Sequence, residues 1–296
     1  MSHARKALLF LSIAAMAPIA AHADSVTGQF DLGGKPLKPK EVAAFRMRDQ
    51  FKPREFETYV MLTTKPVAKK DEIKNAIDPY SIAINDPSLK DDSDYIALSV
   101  GANGDVAMNA HVGGVQYVDT SGKIMGQPGS LTATCKENTA TRVACTVKTP
   151  QPVKPMSGPT WSLDVTFDTN VLGRASGKAL AKDGEAPGKA LLALRAAVAG
   201  NDLGKILALM TPEMAKSYTA DYNTPAENLK SAKEILDARL PKQPKITGGE
   251  WLSDDRALVE VEGMPFASSR MLYLVDMRRI DGHWLWSDSS PVGMLR

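Results

Sequence analysis

Two hydrophobic periods divide this chain. Up to about Val171, short runs alternate apolar with polar residues, the two-residue period of half-buried strands. After Pro187, apolar residues recur every three or four positions before strands return. In the first part, strands are expected at Gln29 to Leu32, ahead of the turn Gly33-Gly34-Lys35, and at Glu57 to Thr64. Tyr95 to Val100 and Asp105 to Val112 flank Asn103-Gly104, the favoured pair of a type I′ hairpin. Gln116 to Val118 and Lys123 to Met125 flank Ser121-Gly122, and Thr160 to Phe167 alternates Trp161, Leu163, Val165 and Phe167 against polar neighbours. One helix is expected around Lys70 to Ile77. Short strands joined by turns predict an all-β sandwich or small barrel over residues 24–172.

Residues 173–186 are rich in Gly, Ala, Lys and Ser and lack aromatics, the composition of a flexible linker. Residues 187–296 then begin helically. Leu191, Leu192, Leu194, Ala197 and Val198 make one apolar face that Gly200 ends, and Leu203 to Met210 makes a second short helix. Thr211-Pro212-Glu213 starts a third helix, with threonine as cap and proline in the first turn. Thr224-Pro225-Ala226-Glu227 fits a capping box for a fourth, running to Leu240 with Leu229, Ala232, Lys233, Ile235 and Leu236 on or beside its buried side. Ile246 to Leu252, Ala257 to Glu262, Met271 to Ile280 and His283 to Ser287 follow as strands, the last two joined by Asp281-Gly282. The fold class is α+β overall.

The first 23 residues belong to neither period. Arg5 and Lys6 precede an apolar run from Ala7 to Ala21, which ends in Ala21-His22-Ala23. This pattern reads as a secretory signal cleaved between Ala23 and Asp24, and the run is too short to span a bilayer. Export is therefore expected, to the periplasm if the source is Gram-negative, with no stable membrane span. Cleavage takes the basic count from 36 to 34, against 34 acidic residues, so the mature chain is formally neutral. It divides evenly, with 17 basic and 18 acidic residues up to Gly173 and 17 and 16 after it. Neither half has the footprint of a nucleic-acid binder. Arg46, Arg48, Lys52 and Arg54 cluster, but Asp49, Glu55 and Glu57 interleave with them, which reads as a solvated face before an anion site.

Cys135 and Cys145 lie in two Thr- and Val-rich flanks around a polar middle. A hairpin folded about Asn138 to Ala140 sets them opposite each other, and an exported chain favours a structural disulfide there. With His3 and His22 cleaved away, only His111 and His283 remain, one in each half. No cluster has the composition of a metal site, and no nucleophile motif or phosphate-binding glycine loop is present, so no cofactor is expected.

Helices followed by a meander ending in Met277-Arg-Arg-Ile-Asp-Gly-His-Trp-Leu-Trp286 resemble the nuclear transport factor 2-like (SnoaL-like) α+β cone, over residues 186 to 292. In that family a hairpin of Asp or Asn, Gly, any residue and Trp commonly closes the sheet, here Asp281, Gly282, His283 and Trp284. The resemblance implies a curved sheet wrapped around helices, often with an apolar pocket. It carries over no catalytic residue. Pocket candidates are Tyr218, Tyr222, Trp251, Tyr273, Asp276, Trp284 and Trp286. Asp276 is the candidate acid, because it stands in an apolar strand, and Tyr218, Tyr222 and Tyr273 are candidate donors. Trp284 and Trp286 share one strand face, where core packing, with their indole N–H groups satisfied near the surface, competes with a pocket mouth.

The missing catalytic constellation favours an exported protein of binding or accessory type, holding an unknown protein or a small apolar ligand outside the cytoplasm. The competing expectation is an isomerase, cyclase or dehydratase of the SnoaL type, acting in the C-terminal pocket.

Overall fold

The structure is a computed structural model that describes residues 23–50, 52–89, 94–121, 129–156, 158–173, 177–219, 224–266 and 269–295. The export segment up to His22, Lys123 to Met125 and Tyr222 therefore lie outside the described residues. The fold is α+β and mostly strands.

The first half contains β1 (Ser25–Leu32), β2 (Lys35–Leu37), β3 (Glu41–Arg48), β4 (Phe56–Thr63), helices α1 (Lys70–Asn75) and α2 (Pro79–Ile84), then β5 (Tyr95–Val100), β6 (Val106–Val112), β7 (Val115–Asp119), β8 (Thr132–Asn138), β9 (Arg142–Lys148) and β10 (Trp161–Leu172). The ten strands form one curled sheet that turns on β10. Most of β10 pairs antiparallel with β1 on one side and β9 on the other, and its last residues, Val171 and Leu172, pair parallel with Ala44 and Phe45 of β3. From β3 the sheet continues through β4, β5, β6 and β7.

Strict alternation in β10 sends Trp161, Leu163, Val165 and Phe167 inward, where they meet Phe30, Val60, Leu62, Ile96 and Met108 in one cluster. The sheet's other face at β3 to β5 is also covered. Ala43, Phe45, Met61 and Ala97 pack there against Ile73 of α1 and Ala83 of α2. Burial on both faces is why Tyr59 to Leu62 is apolar without a break.

Cys135 and Cys145 stand opposite each other in the β8–β9 hairpin and form a disulfide, with Cα atoms 4.0 Å apart. The Asn103-Gly104 turn differs from the type I′ expectation. Only Gly104 has positive φ, and its N–H closes on the Gly101 carbonyl at 3.1 Å, so the loop is longer and ends in a left-handed glycine. Asp281 and Gly282 do form the two-residue turn, with φ of 50° and 82° and Ile280 paired to His283.

The stretch expected to act as a flexible linker is ordered where it is described. β11 (Lys178–Ala179) pairs with β12 (Lys245–Ser253), and Leu180 is buried beneath the helices. Helices α3 (Glu185–Ala199), α4 (Leu203–Ala208), α5 (Pro212–Ser217) and α6 (Pro225–Arg239) follow. Strands β13 (Arg256–Phe266), β14 (Ser269–Ile280) and β15 (His283–Leu295) complete a five-stranded meander. The capping box at Thr224 forms in full, whereas the Thr211 side chain makes no cap bond at α5. Leu192 and Ile235, placed on buried faces by periodicity, are exposed, and Arg195 and Asn228 are buried instead.

Parity decides what each face of this sheet does. Odd positions Val259, Val261, Tyr273, Val275 and Met277 face the helices and meet Leu191, Leu194, Ile206 and Leu236. Even positions Glu260, Glu262 and Asp276 turn to the other face, which meets the first half of the chain. There Arg48 is ion-paired to Glu260, and Arg54 to Glu262 at 2.5 Å. Two members of the basic cluster, Arg48 and Arg54, thus engage the other half of the molecule, while Lys52 pairs with Glu55 of its own half at 3.6 Å. Gly293 sits in the same seam, where an added Cβ would lie 2.4 Å from the Gln50 carbonyl oxygen.

Candidate functional site

The residues expected to line one pocket are divided by the sheet. Trp286 is fully buried on the helix side, with Tyr218 edge-on to it at 6.0 Å and Tyr273 in the same cluster. Burial raises the phenol pKa of both tyrosines. The Trp286 backbone exchanges hydrogen bonds with Leu209 and Thr211, which bind it to the α4–α5 turn. Its indole N–H, expected to find a partner near the surface, has none among the described residues. Trp251 and Trp284 pack edge to face at 5.4 Å, both half-buried. The helix side is filled at these positions by aromatic and leucine side chains.

Asp276 is on the opposite face. It is buried, and Arg256 binds it through both oxygens, at 3.0 and 2.9 Å, with Arg278 3.6 Å away. Arg256 also donates to the Asn75 carbonyl of the first half at 3.0 Å. This carboxylate is compensated by arginine and separated by the sheet from Tyr218 and Tyr273. His111 stacks on Tyr95 at 5.8 Å, and His283 is exposed beside its turn.

The seam between the halves holds a cavity of about 340 Å3. Its floor is the outer face of the second sheet, through Leu258, Glu260 and Leu274, and Pro291 and Val292 of β15. One wall is the end of β3 and the start of β4, with Arg46, Arg48 and Phe56, and another is the α1–α2 turn from Ala76 to Pro79. Gly249 and Glu250 of β12 and Ala179 of β11 close the rim. Gly249 is required there: its φ is 144°, and an added Cβ would come within 2.0 Å of the Leu258 carbonyl oxygen. Beside it, the pairing of β12 with β13 shifts register between Ile246 and Gly248.

The two-residue spacing of Arg46 and Arg48 on β3 puts both guanidinium groups on one face, 4.9 and 4.3 Å from the Phe56 ring centre. Arg48 has its carboxylate in Glu260. Among the described residues Arg46 has no ion-pair partner and its Nε no hydrogen-bond partner, and burial lowers its pKa. The remaining acids are held by the chain: Asp78 accepts the Ser81 N–H of α2 at 3.0 Å, and Glu250 accepts the Gly177 N–H at 3.0 Å. A larger, more open cleft of about 720 Å3 adjoins this cavity at Ala76 to Asp78 and Ser290, and reaches Asp276, Arg239 and Asp288. Burial raises the Asp288 pKa.

Arg46 and Arg48 stand out in the sequence as part of a basic cluster, read as a solvated face before an anion site, but nothing in the sequence joins Phe56, Leu258, Leu274 and Val292 to them. The available signal was Arg-x-Arg in an apolar strand, which turns two cations inward together. Among the described residues no group of three or more His, Cys, Asp or Glu is placed to hold a metal ion. No described helix is long and apolar enough to cross a membrane. A scan against known protein families finds no family that matches the chain. No curated protein matches it either.

Proposed function

We propose that this is an exported binding or accessory protein without catalytic activity, whose ligand seat is the seam cavity between its two halves. The cavity carries the reading: about 340 Å3 is the low end of the range in which small ligands are held, and both halves build its walls. The export pattern ahead of Asp24 and the Cys135–Cys145 disulfide support a location outside the cytoplasm. Helices on one face of a curved meander closed by the Asp281-Gly282 turn support a cone of nuclear transport factor 2 type in residues 187–296. The facing layers joined through β10 support a sandwich in residues 24–172. Two placements weigh against an isomerase of the SnoaL type: aromatic side chains occupy the helix side, and Asp276 lies across the sheet from them.

Native mass spectrometry of protein recovered from its own envelope fraction tests the reading. A bound small molecule is expected, and Ala179→Trp, which fills the rim from an exposed position, should release it. Retention of the same molecule by that variant would place the site elsewhere.

A further inference from the structure

Resting on the seam cavity as the ligand seat, we infer that the ligand is a small monoanion, a carboxylate on a compact apolar body, with its charged end on Arg46. Three other arginines of the seam have carboxylates of this chain: Arg48 has Glu260, Arg54 has Glu262 and Arg256 has Asp276. Among the described residues Arg46 has no carboxylate partner; it is half-buried against Phe56, and its Nε, like that of Arg48, has no hydrogen-bond partner there. Removing a cation from water without a counter-charge is unfavourable, and an arginine aimed at carboxylate geometry is the usual answer to an anion. Phe56 holds the guanidinium plane in place, so little side-chain entropy remains to be lost on binding.

The rest of the cavity sets the other end of the ligand. Leu274, Ile77 and Val292, each partly exposed, offer aliphatic surface that suits a hydrocarbon body. The charge of the ligand is bounded as well. Asp78, Glu250 and Glu260 stand in the same lining, so a second negative charge would meet repulsion that one guanidinium cannot offset. An alkylammonium would suffer the reverse, with Arg46 and Arg48 beside it. A single carboxylate satisfies Arg46 and leaves the three acids with the partners they have.

Isothermal titration at low and moderate salt with hexanoate, hexyl phosphate, hexanol and hexylamine, four probes sharing one apolar body, tests this. Hexanoate is expected to bind at least tenfold more tightly than hexanol, and more weakly as salt rises. Arg46→Gln should abolish that preference, whereas Arg46→Lys should keep part of it, with the melting temperature of each variant reporting that the fold survives. Equal binding of hexanol or hexylamine, or tighter binding of hexyl phosphate, would overturn the monoanion assignment while leaving the seam as the site if Ala179→Trp still blocks the probe. Hexanoate binding unchanged in Ala179→Trp would sink the seam reading itself, and no hexanoate binding to the wild-type protein would sink both.

Discussion

Tyr59 and Tyr80 show how a single environment becomes a measurable stability term. Their rings meet at 5.5 Å under α2, and burial, followed by the charges of their neighbours, pushes both phenols up to about 12. The folded protein then keeps protons that the unfolded chain releases near 10, so stability should fall as pH rises between 10 and 12. Urea midpoints measured across that range should decline less steeply in Tyr59→Phe; an unchanged slope would show that the site does not hold the proton. Asp86 has the opposite sign. Burial by itself would raise its pKa, but bonds from Lys69 N–H (2.7 Å), Ser88 N–H (2.8 Å) and Ser88 Oγ (2.6 Å) outweigh burial and lower it below the ordinary 3.8. Its contribution is in place above that value and is lost as pH falls below it. Asp86→Asn should cost about 1.5–3 kcal/mol at pH 7, the range for hydrogen bonds to a charged group, and should flatten the acid limb of the stability curve. The Ser88 bonds to Asp86 are local, two residues along the chain, but the Lys69 N–H and the Tyr59–Tyr80 contact are brought close only by the fold.

Elements were legible where one face is wet and one is dry. β10 alternates without a break, and the four C-terminal strands fall where their period puts them, although β15 runs on to Leu295. The extension was hidden by Pro291, which is tolerated because β15 lies at the sheet edge. β3 was missed for a different reason. Val42 and Ala44 enter the inner cluster while Ala43 and Phe45 enter the outer one, so the strand shows no alternation. α2 has six residues, too few to display a helical period, and its only local signal was Asp78-Pro79, a cap followed by proline at the first helical position. Local chemistry that needs no tertiary partner was readable outright, as at the Thr224 capping box. Thr224→Ala should therefore cost about 1 kcal/mol, the typical value of an N-cap, seen as a lower chemical-denaturation midpoint with an unchanged m-value. The disulfide is of the same local kind. Replacing Cys135 and Cys145 by serine should cost somewhat under ~3 kcal/mol, since the closed loop is shorter than 15 residues.

At the scale of the whole molecule, the sequence carries each half but not the seam. Composition gave two neutral halves, and neutrality concealed that acids of one half face arginines of the other. Which face of β13 and β14 bears Glu260, Glu262 and Asp276 follows from parity, but what that face meets depends on how the halves dock. Asp276 makes the point: an acid in an apolar strand can be read as a buried base or as a surface charge, and it is a buried side chain held by Arg256. The seam pairs should differ in strength because they differ in exposure. Arg48 and Glu260 retain 17% and 24% of their side-chain exposure, whereas Arg54 retains 68% against 4% for Glu262. Water screens the exposed Arg54 end, so a double-mutant cycle on Arg54 and Glu262 should return no more than about 1 kcal/mol of coupling, the range of exposed pairs. The cycle on Arg48 and Glu260 should return more, in the ~1.5 kcal/mol range or above seen for close, desolvated charge pairs, and should lose less of it in added salt. Arg48→Ala also removes the stack on Phe56 and should loosen the docking itself, splitting a single calorimetric transition into two. Equal coupling in the two cycles, or one sharp transition in Arg48→Ala, would mean that this ion pair is not what holds the halves together.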